Sequence, residues 1–314
     1  MTRTTRRRVQ KDPAYTRQRR GVQKDPGDTR QPQKDPADTR RAQRRQDPAI
    51  VLKLGGELLE QPDDLARIAT GIAALAQRTS LVVVHGGGRE IDSALATAGI
   101  AKQQVDGLRV TDARTLDVVV AVLAGAINTR LVAALRKAGA RPVGLTGADA
   151  SVATMKRSQP IATVAGPKVD LGLVGSPINN GSPELLTDLL ARRYVPVVAC
   201  IGATRDGELL NVNADTLAAH LASSLEARRL VIAGGTSGVL DEAGQTIARL
   251  DSRRAARMIK AGTANKGMVA KLEACRTALR SGVGDVLIAN GREVALDTLA
   301  AATGPLAGCT QVVR

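Results

Sequence analysis

Two lysines and an aspartate stand where ordinary packing would not put them. Lys53 lies inside the apolar run AIVLKLGG. A buried ammonium is costly unless it is paired or faces a site; the alternative is an edge-strand lysine that snorkels out. Lys271, in KGMVAKLEAC, falls in the first turns of a helical pattern, where solvated lysines are common. Asp215, in LLNVNADTLAAH, precedes an amphipathic helix and is either a site carboxylate or a cap or first-turn acid. Asn211 and Asn213 are two apart and would point the same way in an extended segment. Arg109, in DGLRVTD, reads as a loop arginine, suited to forking a carboxylate or merely exposed.

Three glycine-rich segments accompany these charges: LKLGGELL (52–59), VHGGGRE (84–90) and AGGTSGVLD (233–241). Glycine at a strand end often serves only a tight turn. Three such ends together favour a phosphate-rich ligand, because bare backbone lets an anion reach N–H groups and helix N-termini. The patterns GxxxxGK[ST] and GxGxxG do not occur, which argues against a P-loop enzyme or a standard dinucleotide domain.

Something must position these groups. Apolar runs at 49–54, 80–86, 141–147, 195–202, 229–235 and 285–291 read as buried strands. Helical spacing fills 62–78, 89–98, 112–138, 182–193, 214–226, 251–261 and 267–281. Strand–helix alternation predicts a parallel sheet covered on both faces, with ligands beyond its carboxyl ends.

Phe and Trp are absent and only Tyr15 and Tyr194 are aromatic, which counts against base stacking on single-stranded nucleic acid. Two histidines and three distant cysteines make a zinc site improbable and suit a reduced, cytoplasmic protein, with Cys200, Cys275 and Cys309 as packing residues. No uninterrupted apolar stretch of membrane-spanning length is present. Residues 1–48 differ: QKDPAYTR (10–17), QKDPGDTR (23–30) and QKDPADTR (33–40) repeat one octamer, and the segment holds 15 Lys and Arg against 6 Asp. With so few apolar residues it is expected to be disordered. It is either an inert extension or an arm making weak, non-specific contact with nucleic acid.

The ordered motifs VLKLGG, VVVHGGG, GLRVTD, AGAINTR, VGLTGAD, DLGLVG, PVVACIG, NVNADTLAAHLA, TSGVLD and KGMVAKLEAC closely resemble the acetylglutamate kinase family of the amino acid kinase superfamily, from about residue 49 onward. The resemblance implies a three-layer α/β/α sandwich around an open, mostly parallel sheet. Its N-terminal half would hold the acyl substrate and dimer contacts, and its C-terminal half ATP. The implied reaction moves the γ-phosphoryl group of ATP to the side-chain carboxylate of N-acetyl-L-glutamate, in arginine biosynthesis, with Mg²⁺ arriving on ATP. No general base is required, so His85 is expected to be structural. Lys53, Lys271 and Asp215 would be the catalytic set. Gly87, Gly88, Arg109, Asn211 and Asn213 would bind substrate. Gly55, Gly56, Thr236, Ser237, Gly238, Val239, Leu240, Thr263, Ala264, Asn265, Gly267 and Met268 would bind nucleotide.

Departures from the family pattern are Gly234 and Gly235, where relatives carry a polar-acidic pair, and Lys266, where they carry Gly or Asp. A related N-blocked acid such as aminoadipate is an alternative substrate, being one methylene longer. A non-catalytic sensor or polyanion-binding protein is an alternative of another class. The proline-rich repeats cannot form the N-terminal helix that links arginine-inhibited relatives into hexamers. A homodimer without arginine feedback is therefore expected.

Overall fold

Runs of Val, Ile and Leu bounded by glycine form the strands of one eight-stranded sheet. The computed structural model describes residues 48–163, 166–178, 183–264, 266–301, 304 and 306–314. The expected disordered extension therefore lies outside the described residues, Pro48 apart. In chain order the main elements begin with β1 (Ile50–Leu54), α1 (Pro62–Ala76), β2 (Leu81–His85) and α2 (Gly88–Thr97). The short β3 (Gln104–Val105) and β4 (Leu108–Arg109) precede the long α3 (Ala113–Lys137) and β5 (Pro142–Thr146). Next come β6 (Met155–Arg157), β7 (Ile161–Thr163), β8 (Gly166–Val169), β9 (Val174–Pro177) and α4 (Glu184–Ala191). Then follow β10 (Val195–Ala199), β11 (Ile201–Ala203), β12 (Leu209–Val212), α5 (Ala214–Ser224) and β13 (Arg229–Gly234). The last are β14 (Arg249–Asp251), α6 (Ser252–Lys260), α7 (Lys266–Arg280), β15 (Asp285–Asn290), α8 (Leu296–Ala301) and β16 (Cys309–Val313).

The sheet order is β14-β16-β15-β13-β1-β2-β10-β5. Every pairing is parallel except β15 with β16. All six strands expected from apolar runs are present, and helices cover both faces, making the three-layer sandwich. The edge strand β14 and its neighbour β16 were not foreseen, because both are short and half polar. Neither was the four-stranded sheet β11-β12-β9-β6.

β1 is central and buried at every position, so its carboxyl end lies at the middle of the sheet's carboxyl edge, where open α/β sheets form their ligand crevice. At the other end of the sheet, Arg229 donates through Nε and Nη2 to the two oxygens of Asp285, each at 2.7 Å, and through Nη1 to Leu299 O at 2.9 Å. Gln311 Nε2 also donates to Asp285 at 2.8 Å, so one half-buried carboxylate ties β13, β15 and β16 together. A bidentate, satisfied pair of this kind fixes register rather than merely adding attraction.

α3 passes through a π-helical stretch, Ala121–Ile127, that nothing in the periodicity announced. It is long and apolar enough to cross a membrane by composition, yet it lies against the protein, with Val119, Leu123, Ile127, Leu131 and Leu135 in the core. Val118, Val120, Val122, Ala124, Val132 and Ala134 pack partly buried against that core, while the small Ala121, Gly125 and Ala126 are exposed.

Candidate active site

Lys53 is buried at 6% exposure on the central strand, so the edge-strand alternative is excluded. Asp215, 4% exposed, enters from the first turn of α5, which packs over β1. Its Oδ1 lies 2.9 Å from Lys53 Nζ, and its Oδ2 lies 3.1 Å from Lys271 Nζ, which comes from the second turn of α7. One carboxylate therefore holds two ammonium groups, each on its own oxygen. Burial works against charge on Lys53, but Asp215, and then Glu57, outweigh it and raise its pKa. Burial likewise opposes ionisation of Asp215, and the two lysines overcome it, lowering its pKa. Lys53 and Asp215 therefore both stay charged at neutral pH despite their burial.

The glycine loops meet directly. A Cβ on Gly56 would stand 2.7 Å from Gly87 Cα, so the ends of β1 and β2 touch backbone to backbone. The five glycines divide their work. Gly55 donates its N–H to Ala233 O at 2.8 Å, and Gly86 donates to Leu54 O at 3.1 Å. This corrects the expectation for Gly55, whose donor is committed to the sheet. Among the described residues the N–H groups of Gly56, Gly87 and Gly88 have no acceptor, and Gly88 opens α2. A helix N-terminus with free donors is an anion site in form. Gly87 has a second duty: a Cβ there would overlap Ile127 Cδ1 and stand 2.9 Å from Leu123 Cδ2. A Cβ on Gly88 would meet nothing within 4 Å and would project into open space.

Arg109 is not an exposed loop residue. Asp106 and Gly107, at φ 48° and 83°, make the tight turn between β3 and β4, which places Arg109 at 9% exposure. An Asp-Gly pair of this kind marks such a hairpin. Arg109 Nη2 donates to Asp92 and, at 3.4 Å, to Gly88 O. Its Nη1 is buried without a hydrogen-bond partner. Thr111, fully buried, donates to Arg109 O at 3.2 Å and accepts from Asn211 Nδ2 at 3.1 Å, so Asn211 joins the same corner. Asn213 does not. It caps α5, its Oδ1 accepting from Asp215 N at 3.0 Å and Thr216 N at 3.1 Å, because a helix start needs that acceptor. The two asparagines do not share a direction.

His85 has 0% exposure. Its Nδ1 donates to Gly86 O at 3.2 Å, and its Nε2 accepts from Asn128 Nδ2 at 3.1 Å. It is structural, as expected. Burial, the largest influence, pushes its pKa down from 6.5 to about 4. Unfolded, it titrates near 6.5. The folded pKa is the depressed one, so its contribution is full above pH 6.5 and is lost as pH falls toward 4, about 3 kcal/mol in all. Thermal melts of the wild type should drop steeply across that window, and those of His85→Asn should drop less.

Residues 48–290 match the family model described as the amino acid kinase family. The acetylglutamate kinase of Bradyrhizobium diazoefficiens is 37% identical over 257 residues, covering 80% of this chain and 86% of that protein. The chain belongs to the amino acid kinase family. The acetylglutamate kinase of Methanopyrus kandleri is 40% identical, covering 76% of this chain and 94% of that one. In fold, this amino acid kinase is similar to N-acetylglutamate synthase from Neisseria gonorrhoeae complexed with coenzyme A and N-acetyl-glutamate, with a TM-score of 0.70 at 24% identity over 88% of this chain and 62% of that one.

The segment 236–240 follows β13 but divides unevenly. Thr236 and Leu240 are exposed, and Ser237 Oγ donates to Glu293 at 3.1 Å. Val239 is buried, with its N–H on Thr310 Oγ1 at 2.7 Å and its carbonyl accepting from Ile247. It has no free polar group for a nucleotide. Gly238, at φ +89°, would put a Cβ 2.5 Å from Thr310 Oγ1, so it too serves the fold. Thr263, partly buried Ala264 and exposed Gly267 lead into α7, and Asn265 lies outside the described residues. Met268 belongs to the core instead. The sequence reading missed Glu57, Asp92, Thr111, Asn128 and Thr310. Each acts through a partner at least 17 residues away, so local spacing gave no signal, the Asp-Gly turn beside Arg109 excepted.

Proposed function

We propose that this amino acid kinase transfers the γ-phosphoryl group of ATP to the side-chain carboxylate of N-acetyl-L-glutamate, the step that commits the acid to arginine biosynthesis. The observation that carries the reading is the pair of ammonium groups held by one buried aspartate at the carboxyl end of the central strand. The acetylglutamate kinase relatives favour this substrate over a longer homologue and over a non-catalytic role.

A carboxylate oxygen attacks the γ-phosphorus, the bond to the β,γ-bridging oxygen breaks, and ADP leaves with that electron pair. No proton moves. The obstacle is the approach of one anion to another, and fixed positive charge lowers it. Lys53 and Lys271 flank the transferring group, and Asp215 fixes their positions rather than accepting a proton. Gly56, Gly87 and Gly88 offer backbone donors to phosphate and carboxylate oxygens. Arg109 takes the α-carboxylate on its unpartnered Nη1, and Asn211 binds the acetylamino group. Thr236, Ser237, Leu240, Thr263, Ala264 and Gly267 border the nucleotide, so residues 49–314 act as one domain with substrate in the N-terminal half and ATP in the C-terminal half. No group of three His, Cys, Asp or Glu among the described residues could hold an ion, and both Asp215 oxygens are engaged, so Mg²⁺ is carried on the phosphates.

The test is acyl phosphate trapping. Purified protein with MgATP, N-acetylglutamate and hydroxylamine should give a hydroxamate, and none at saturating substrate would refute the reading. N-acetylaminoadipate in parallel ranks the substrates. Arg109→Met should raise the KM for N-acetylglutamate about a hundredfold, since a charge-assisted contact is lost, with a smaller change in kcat. An unchanged KM would remove Arg109 from the substrate site.

A homodimer is supported by α3 and β5. The C-terminal part of α3 packs on the edge strand β5, whose Val143 and Leu145 are only partly buried, and a second copy would cover these and the exposed Ala121, Gly125 and Ala126. Sizing chromatography should give the mass of two chains, without response to arginine; a monomer, a hexamer or arginine inhibition would refute this. The free, buried Cys200, Cys275 and Cys309 suit a cytoplasmic protein.

A further inference from the structure

Glu57 lies against the glycines that end β1 and β13. It stands in the short turn Gly56–Leu58 directly after β1. Its side chain folds back over Gly55, so closely that a Cβ on Gly55 would overlap the carboxylate. From there it crosses to the end of β13, where Oε1 accepts the N–H of Gly235 at 2.9 Å. A Cβ on Gly234 would lie 3.1 Å from the same oxygen. The charge is felt at the catalytic lysine, whose pKa Glu57 helps to raise. The turn itself is pinned: Arg292 Nη2 donates to Glu57 O at 2.6 Å, while Arg292 Nε holds Asp64 at 2.9 Å. Leu58 and Leu59 are buried beneath it. The backbone is thus anchored, while the side chain is only half-buried and held by the single hydrogen bond to Gly235.

A carboxylate and a phosphate seek the same partners, a backbone N–H at a glycine turn and a nearby ammonium. Two anions cannot share one such place without strong repulsion. We propose that Glu57 is an internal anion that fills the phosphate cradle between the ends of β1 and β13 and must swing out before nucleotide enters. The inference rests on the reading of that crevice as the nucleotide site. While the carboxylate is in, the cradle is closed, and apparent affinity falls by the fraction of molecules that are open. The same group re-enters after transfer and displaces ADP. Glu57 therefore sets how tightly nucleotide is held without touching the carboxylate substrate.

Calorimetric titration of Glu57→Gln and Glu57→Ala tests this, with MgADP and with pyrophosphate free of metal. Both variants should bind both probes about tenfold more tightly than the wild type, the scale of one charge-assisted hydrogen bond. In the ligand-free protein the Gly235 amide resonance should shift on Glu57→Ala. Unchanged or weaker binding overturns the proposal, and weaker binding of MgADP alone would mean that Glu57 holds the metal. Hydroxamate formation by the wild type separates the two levels: product without an affinity change in the variants removes the gate only, and no product removes the kinase reading beneath it.

Discussion

Asp215→Asn should lower kcat about a thousandfold, with KM values changed far less, because the loss falls on charge that matters only as the phosphoryl group moves. The substitution keeps the shape and removes the charge. Lys53 and Lys271 approach one carboxylate at 2.9 and 3.1 Å, so the variant leaves two ammonium groups side by side with nothing between them. Lys53 suffers most. Burial already opposes its charge, and Asp215 is the main force against that opposition. Its pKa should fall, and activity that remains should depend on pH in a range where the wild type is flat. Breaking a buried ion network costs about 3–5 kcal/mol, so the melting temperature should drop as well. Steady-state kinetics with both substrates checks the first claim and calorimetry the second. A kcat within tenfold of the wild type would mean that the lysines hold their places without the aspartate.

Gly87→Ala and Gly88→Ala should both destroy activity, for unrelated reasons. At Gly87 the new methyl would collide with Ile127 and Leu123, so the loss should come with a lower melting temperature, by overpacking of about 1–3 kcal/mol. At Gly88 nothing lies within 4 Å, so the protein should melt as the wild type does. There the methyl would project into the open space over the start of α2, beside Arg109, where the substrate carboxylate is expected. Activity should fall at least about a hundredfold through a raised KM, since a mispositioned substrate loses orientation. His85→Asn should show the reverse pattern, with stability reduced and turnover within about tenfold of the wild type, as it has no proton to move. Should Gly88→Ala retain more activity than His85→Asn, the crevice has been assigned to the wrong chemistry.

Much of this arrangement was legible in advance. Six of the eight strands of the main sheet lie in mostly apolar runs, which a parallel sheet covered on both faces demands. Lys53 stood out because it breaks such a run, and Asp215 and Lys271 followed from motifs in a fixed order. What stayed hidden depends on partners distant in sequence. Gly55 and Gly56 are adjacent and identical, yet one N–H belongs to Ala233 and the other is free. Only the register of β1 against β13 separates them. Asn213 looked like a second substrate ligand because an extended segment repeats every two residues, but the chain turns into α5 at that point. Arg109 looked exposed because a two-residue strand leaves almost no periodic trace. Glu57 had no signal at all, since its meaning lies in Gly235, at the end of a strand that pairs in parallel with its own.

The hydrogen bond from Val239 to Thr310 joins residues 71 positions apart. During synthesis, the loop after β13 therefore emerges long before the hydroxyl that anchors it. Until β16 docks, β1, β2 and α5 are already synthesised with Lys53 and Asp215, while the loop proposed to border the nucleotide lacks this anchor. On the proposed reading, a nascent chain halted ahead of Thr310 should thus bind ATP poorly, and the docking of β16 becomes a late step on the way to an active enzyme.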